Sequence, residues 1–159
     1  ARRGRDRQGR AGWPVNLSPH FSLAELVASQ VATRKGIDNA PAPAIVANLT
    51  RLAALLEQVR ALVGAPITIS SGYRSPALNR AVGGAASSAH VLGLAADISM
   101  AKLAPKALAL LIRQSGIVFD QLIYEGTWVH IALSAGAPRR QVLTAKFAGG
   151  GVSYVAGIV

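Results

Sequence analysis

Cysteine is absent from this 159-residue chain. That excludes disulfides and cysteine-rich zinc sites, and it leaves the redox compartment open. Acidic residues are also scarce, with seven Asp and Glu against 17 Lys and Arg and a net charge of +10. A carboxylate-rich magnesium site is hard to assemble from so few. Aromatic residues make up only 5% of the chain, too few to interleave a basic groove that stacks bases. A metal-dependent nuclease, suggested by charge alone, therefore ranks last, and no nucleic acid partner is expected. No run of 18 apolar residues occurs, so no segment reads as a transmembrane helix. The arginine-rich start has no apolar stretch after it and does not read as a secretory signal.

What is present is an apolar fraction of 51% on a chain of one domain's length, enough to bury a core. The surplus of positive charge favours an anionic partner, whether nucleic acid, lipid headgroup or cell-wall polymer. Five arginines, Arg2, Arg3, Arg5, Arg7 and Arg10, crowd the first ten residues. Residues 1–15 read as a basic flexible tail, either simply solvated or an anion-binding arm. Residues 16–147 form the domain proper. Residues 148–159 read as a glycine-rich joint and an apolar tail that packs back on the body or joins an assembly contact.

Hydrophobic period divides the body. Ser22 and Glu25 stand in capping-box spacing, which predicts a short helix from Leu23 to about Gln30. Residues 36–43, with Asn39, Pro41 and Pro43, punctuate a loop. Ile45, Leu49, Leu52, Leu56, Val59 and Val63 recur every three or four residues, a helical stripe that Gly64 and Pro66 end. Arg51, Glu57 and Arg60 fall off the stripe and should face water. Residues 67–70 and 94–99 alternate as strands, and residues 77–82 suggest a helical turn. A second amphipathic helix covers 103–114. Strands at 119–125 and 128–133 flank Gly126-Thr127, a hairpin signal that pairs Ile123 with His130 and Glu125 with Trp128. One more strand is expected between 139 and 147. The whole reads as a single α+β domain, a small and largely antiparallel sheet packed by two main helices.

The chain has only three histidines. His90 lies seven residues before Asp97, which alternation places on the face of its strand opposite Leu94, Ala96 and Ile98. His130, on the later hairpin, shares a face with Glu125. His90, Asp97 and His130 could hold zinc with one position open, and bound zinc brings the pKa of water down to roughly 7. Glu125 is then within reach to act as general base. Each residue taken singly is also an ordinary polar residue; it is the combination that points to a site on the sheet's open face. Arg74 follows a tight turn and reads either as a surface arginine or as a contact for a carboxylate or developing oxyanion. Trp128 reads as a wall of the cleft, and His20 as structural or exposed.

The stretch Ser88-Ala89-His90-Val91-Leu92-Gly93-Leu94-Ala95-Ala96-Asp97 fits S-x-H-x-x-G-x-A-x-D at every defined position. It resembles the signature of the zinc D-alanyl-D-alanine carboxypeptidase family, which includes D-Ala-D-Ala dipeptidases and phage L-alanyl-D-glutamate endolysins. Ser71-Gly72-Tyr73-Arg74-Ser75 with Asn79, and residues 119–125 followed by Trp128-Val129-His130, look like the phage and prophage branch. The resemblance spans about residues 17–143. It implies a zinc peptidase acting on peptidoglycan stem peptides, with His90, Asp97 and His130 as ligands, Glu125 as base and Arg74 as substrate or oxyanion contact. Ser88, Asn79 and Trp128 would line the substrate side.

Many relatives carry the catalytic acid three residues before the last ligand histidine, where this chain has Thr127 and places Glu125 five before. Asp120 is the fallback base, on the opposite face of its strand. A non-catalytic peptidoglycan-binding or virion structural module that keeps its zinc is the competing reading. The expected location is the bacterial cell envelope, periplasm or cell wall, reached by lysis or within a phage particle. Other particle proteins could contact the terminal tails.

Overall fold

The computed structural model describes residues 16–159; the basic stretch over 1–15 lies outside the described residues. Five helices and six strands follow in order: α1 (Leu23–Val27), α2 (Gln30–Lys35), α3 (Pro43–Val63), β1 (Thr68–Ser71), α4 (Pro76–Ala81), β2 (Ala95–Ser99), α5 (Pro105–Gln114), β3 (Gln121–Tyr124), β4 (Val129–Ala132), β5 (Gln141–Ala148) and β6 (Gly151–Ala156). A single 3-10 turn, Ala89–Leu92, lies between α4 and β2. The strands form one sheet in the order β1-β2-β4-β3-β5-β6. Only the β3–β5 pairing is parallel. This is the α+β arrangement the hydrophobic periods predict.

The two long helices cover one face of the sheet. Leu49, Leu52, Leu56 and Val59 of α3 and Leu108 and Ile112 of α5 are buried together with Ala96 and Ile98 of β2, Val129 and Ile131 of β4, and Phe119. Partners across antiparallel strands share a face. Ala96 is opposite Ile131 and Ile98 opposite Val129, so this row is the core side. Asp97, between them, and its partner His130 must then lie on the other side. One apolar alternation thus both builds the core and turns two polar residues away from it.

Two local expectations change. The helix predicted from Leu23 to about Gln30 stops at Val27, and a second helix, not predicted from the sequence, runs from Gln30 to Lys35. The Leu26 carbonyl accepts from the Tyr73 amide at 2.7 Å and the Val27 carbonyl accepts from Asn39 Nδ2 at 2.8 Å. Carbonyls taken by distant partners are lost to the helix, and Ser29 opens a new one by capping Ala32. Secondly, the glycine-rich joint and apolar tail over 148–159 are part of the sheet. Ala148 pairs with Gly151, and Gly149 and Gly150 between them have φ of 60° and 76°. Two left-handed residues make the turn whose twist suits a tight hairpin, and β6 becomes an edge strand.

Two of the charges off the α3 stripe, Glu57 and Arg51, also have partners. Glu57 accepts from Ser18 Oγ at 2.7 Å and from the His20 amide at 2.7 Å, with His20 Nδ1 2.8 Å away. Arg51 donates to the Ser134 carbonyl at 3.2 Å. His20 is thus a tether for the segment before α1.

Candidate active site

Three buried polar side chains meet on the uncovered face of β2 and β4. His90, Asp97 and His130 offer ligand atoms that all lie within 4.8 Å of one another. Asp97 Oδ1 is 3.3 Å from His90 Nε2 and 3.0 Å from His130 Nδ1. Donors around a tetrahedral ion at about 2.0–2.1 Å stand about 3.3 Å apart, so the trio needs only small adjustments to hold one. The donor set, two imidazoles and a carboxylate without thiolate, also fits zinc or a similar divalent metal.

Each member is aimed by its own element. Asp97 and His130 are directly opposed in the β2–β4 register. His90 comes from the 3-10 turn that Ser88 caps, its Oγ accepting from the His90 amide at 3.3 Å. Gly93 ends that turn at φ 69°, and a Cβ there would come within 2.9 Å of Ile45 on α3. His90 Nδ1 lies 2.7 Å from the Gly72 carbonyl. The carbonyl can only accept, so Nδ1 carries a proton, and the neutral imidazole then presents its Nε2 lone pair to a metal. Gly72 is itself required, because a Cβ would run into the Leu26 carbonyl.

Burial pushes the Asp97 carboxyl up, but its contacts with the His130 and then the His90 imidazole more than reverse this, so it stays far below the ordinary carboxylate range. Its second oxygen, Oδ2, accepts from Arg74 Nη2 at 3.3 Å. Arg74 also donates from Nε to Ser71 Oγ at 3.1 Å and from Nη1 to Asn79 Oδ1 at 3.4 Å. It is therefore a fixed part of the site rather than a loose surface charge. Asn79 is buried and donates to the Ala85 carbonyl at 2.8 Å, so it reaches the site through Arg74.

Glu125 lies one residue past β3, its amide donating to the Trp128 carbonyl at 3.0 Å. The carboxyl is half-buried, and it is pushed up by that burial and by the charge of Asp97, against opposing effects of His130 and Arg74. Ile123 pairs with His130, so alternation one step past β3 sets Glu125 on the same face of the sheet as that histidine. Thr127 is exposed at the hairpin turn. Asp120, the alternative base, is taken up by Arg139, which donates from its amide, Nε and Nη2 at 2.8–3.3 Å. Trp128 is half-buried, its Nε1 enclosed without a hydrogen-bond partner among the described residues, as suits a wall.

The peptidase M15 family model matches residues 19–132. The chain belongs to the peptidase M15 family. Its buried His90, Asp97 and His130 are the candidate metal site of this M15 metallopeptidase, and peptides are its class of substrate. No curated protein matches the chain. Among the described residues no helix is long and apolar enough to cross a membrane.

One supporting residue gave no sequence signal. Asn39 sits in what reads as a plain loop, yet it is buried. Its Nδ2 donates to the Val27 and Tyr73 carbonyls at 2.8 and 3.1 Å, and its Oδ1 accepts from the Ser75 amide at 2.7 Å. It braces the backbone on both sides of Arg74, and partners 34 and 36 residues away leave no local pattern to read.

Proposed function

We propose that this M15 metallopeptidase hydrolyses an amide bond in the stem peptides of peptidoglycan, with zinc held by His90, Asp97 and His130. The observation that carries the reading is the half-buried Glu125 carboxyl beside the buried trio, with Arg74 anchored on Asp97. When bound, zinc supplies Lewis acidity and eases deprotonation of water at neutral pH. Glu125 takes the proton of the attacking water and returns it to the leaving amine. Arg74 has five N–H donors. Ser71, Asn79 and Asp97 take three, and two serve a substrate carboxylate or the oxygen that gains charge. Ser88 borders the His90 turn and Trp128 closes the other side of the cleft.

The cell envelope is the matching location, reached during phage lysis or as part of a phage particle. The net charge of +10 suits an anionic wall. The test is to incubate the zinc-loaded protein with purified peptidoglycan and identify new termini by mass spectrometry, beside Glu125→Gln. New amino termini that fall by about 10²–10⁴-fold in the variant support the enzyme and name the bond. Intact wall material with tight binding and bound zinc would favour the non-catalytic binding module.

A further inference from the structure

The M15 match ends at residue 132, but the site-bearing face of the sheet does not. Ile123, which pairs with His130, also pairs with Leu143, and Leu143 pairs with Ala156. The metal side of the sheet therefore continues across β5 and β6. Two residues further along these strands, Ala145 pairs with Tyr154, and at the hairpin end Phe147 pairs with Val152. Period-two alternation puts all four on the metal side.

This extension has the character of a binding surface. Phe147, Val152 and Tyr154 are 60%, 48% and 51% exposed, whereas Ala145 is buried. One step past the Tyr124–Thr144 pair, the β3–β5 register sets Glu125 level with Ala145, so Glu125, Ala145 and Tyr154 lie in one cross-strand row. In keeping with that row, the Tyr154 hydroxyl is pushed up by burial and then by the negative charge of Glu125. An open depression of about 560 Å³ adjoins the hairpin end, lined by Phe147, Val152 and the four residues between them.

We propose that Tyr154 forms the wall of the substrate cleft on the side away from Arg74, and that Tyr154, Phe147 and Val152 hold the amino-terminal, glycan-linked part of the stem peptide. The direction follows from charge. Arg74, at the β1 side, suits the carboxylate end of a peptide. The β6 side offers an uncharged, ring-bearing face for the other end, where methyl groups and sugar faces make apolar contacts. Three strand spacings separate β4 from β6, about 14 Å, or some four extended residues. A substrate that fills both sides is an extended stem rather than a free dipeptide. The inference rests on the peptidoglycan reading above.

The test compares a disaccharide-bearing stem peptide with a short peptide that contains only the residues around the scissile bond. Tyr154→Ala should raise KM for the long substrate about tenfold while kcat stays within about twofold, and should change the short substrate far less. Tyr154→Phe, which keeps the ring, should restore most of the affinity. Phe147→Ser with Val152→Ser, at exposed positions, gives a second measurement should Tyr154→Ala fail to fold; it should raise KM for the long substrate about threefold. Equal KM values for variant and wild type on the long substrate overturn this inference alone. A wild-type protein that cleaves no peptidoglycan substrate overturns the peptidoglycan reading and this inference with it.

Discussion

Asp97 and His130 stand directly opposite each other on neighbouring antiparallel strands, with 3.0 Å between Oδ1 and Nδ1. Asp97 also meets His90 through Oδ1 and Arg74 through Oδ2. One carboxylate thus joins both imidazoles to the arginine. A metal that binds the trio binds only the folded chain, so it stabilises by mass action. Zinc at a hundredfold excess over its Kd should raise the unfolding free energy by about 2.7 kcal/mol. Chelation should reverse this. Asp97→Ala and His130→Ala should abolish the zinc-dependent gain, read as loss of the melting shift and of bound metal by elemental analysis. Undiminished zinc in His130→Ala would remove that residue from the ligand set.

Arg74 separates position from charge. Its planar fork holds Ser71, Asn79 and Asp97 simultaneously, a geometry that a lysine ammonium does not reproduce. Arg74→Lys should therefore behave nearly like Arg74→Ala, with kcat/KM on a stem peptide down about 10²-fold or more and zinc content unchanged. Full activity in the lysine variant would show that a point charge suffices and that the fork has no role.

Asn39 should prove more costly to lose than its loop position suggests. Asn39→Ala leaves the buried Ser75 amide without its acceptor and the Val27 and Tyr73 carbonyls without a donor. Each orphaned buried group costs about 1–3 kcal/mol, so a fall of several degrees in melting temperature is expected. Because Tyr73 and Ser75 flank Arg74, kcat/KM should fall beyond any loss of folded protein, with zinc affinity retained. Asn39→Asp keeps the acceptor for Ser75 but sets a buried carboxylate oxygen against the Val27 and Tyr73 carbonyls. It should therefore be no more stable than Asn39→Ala.

What was legible in the sequence was what has a short period or a short spacing. The α3 stripe, the alternation around Asp97 and the hairpin register of Ile123 with His130 are local patterns, and each stands in the fold where the pattern puts it. The His90–Asp97 spacing and the strand alternation together located the trio. The break at Ala28 was not legible, because its cause is the capture of Leu26 and Val27 carbonyls by Tyr73 and Asn39, far along the chain. The β6 strand was hidden for a related reason. Val152 to Ala156 pair on one side only, so no buried face imposes an alternating pattern on the residues. The bracing of His90 by Gly72, 18 residues away, is likewise not a local pattern.

Acid sensitivity offers a probe of the sheet's far end that leaves the metal trio alone. Asp120 precedes β3 and accepts three charge-assisted or amide donors from Arg139, and these hold its carboxyl below the ordinary range, with burial opposing. A depressed carboxylate contributes stability in full above its unfolded pKa of about 3.9 and loses it as pH falls through the lower folded value. Asp120→Asn should therefore lower the melting temperature at neutral pH and flatten its fall below about pH 4. The neutral carboxamide of that variant cannot form an ion pair, and the Gln141 amide, which donates to the Asp120 carbonyl at 2.9 Å, keeps the start of β5 aligned. Metal content should be unaffected. An unchanged melting profile from neutral to acid pH would mean that Arg139, 60% exposed on its side chain, is screened by water too well for the pair to matter.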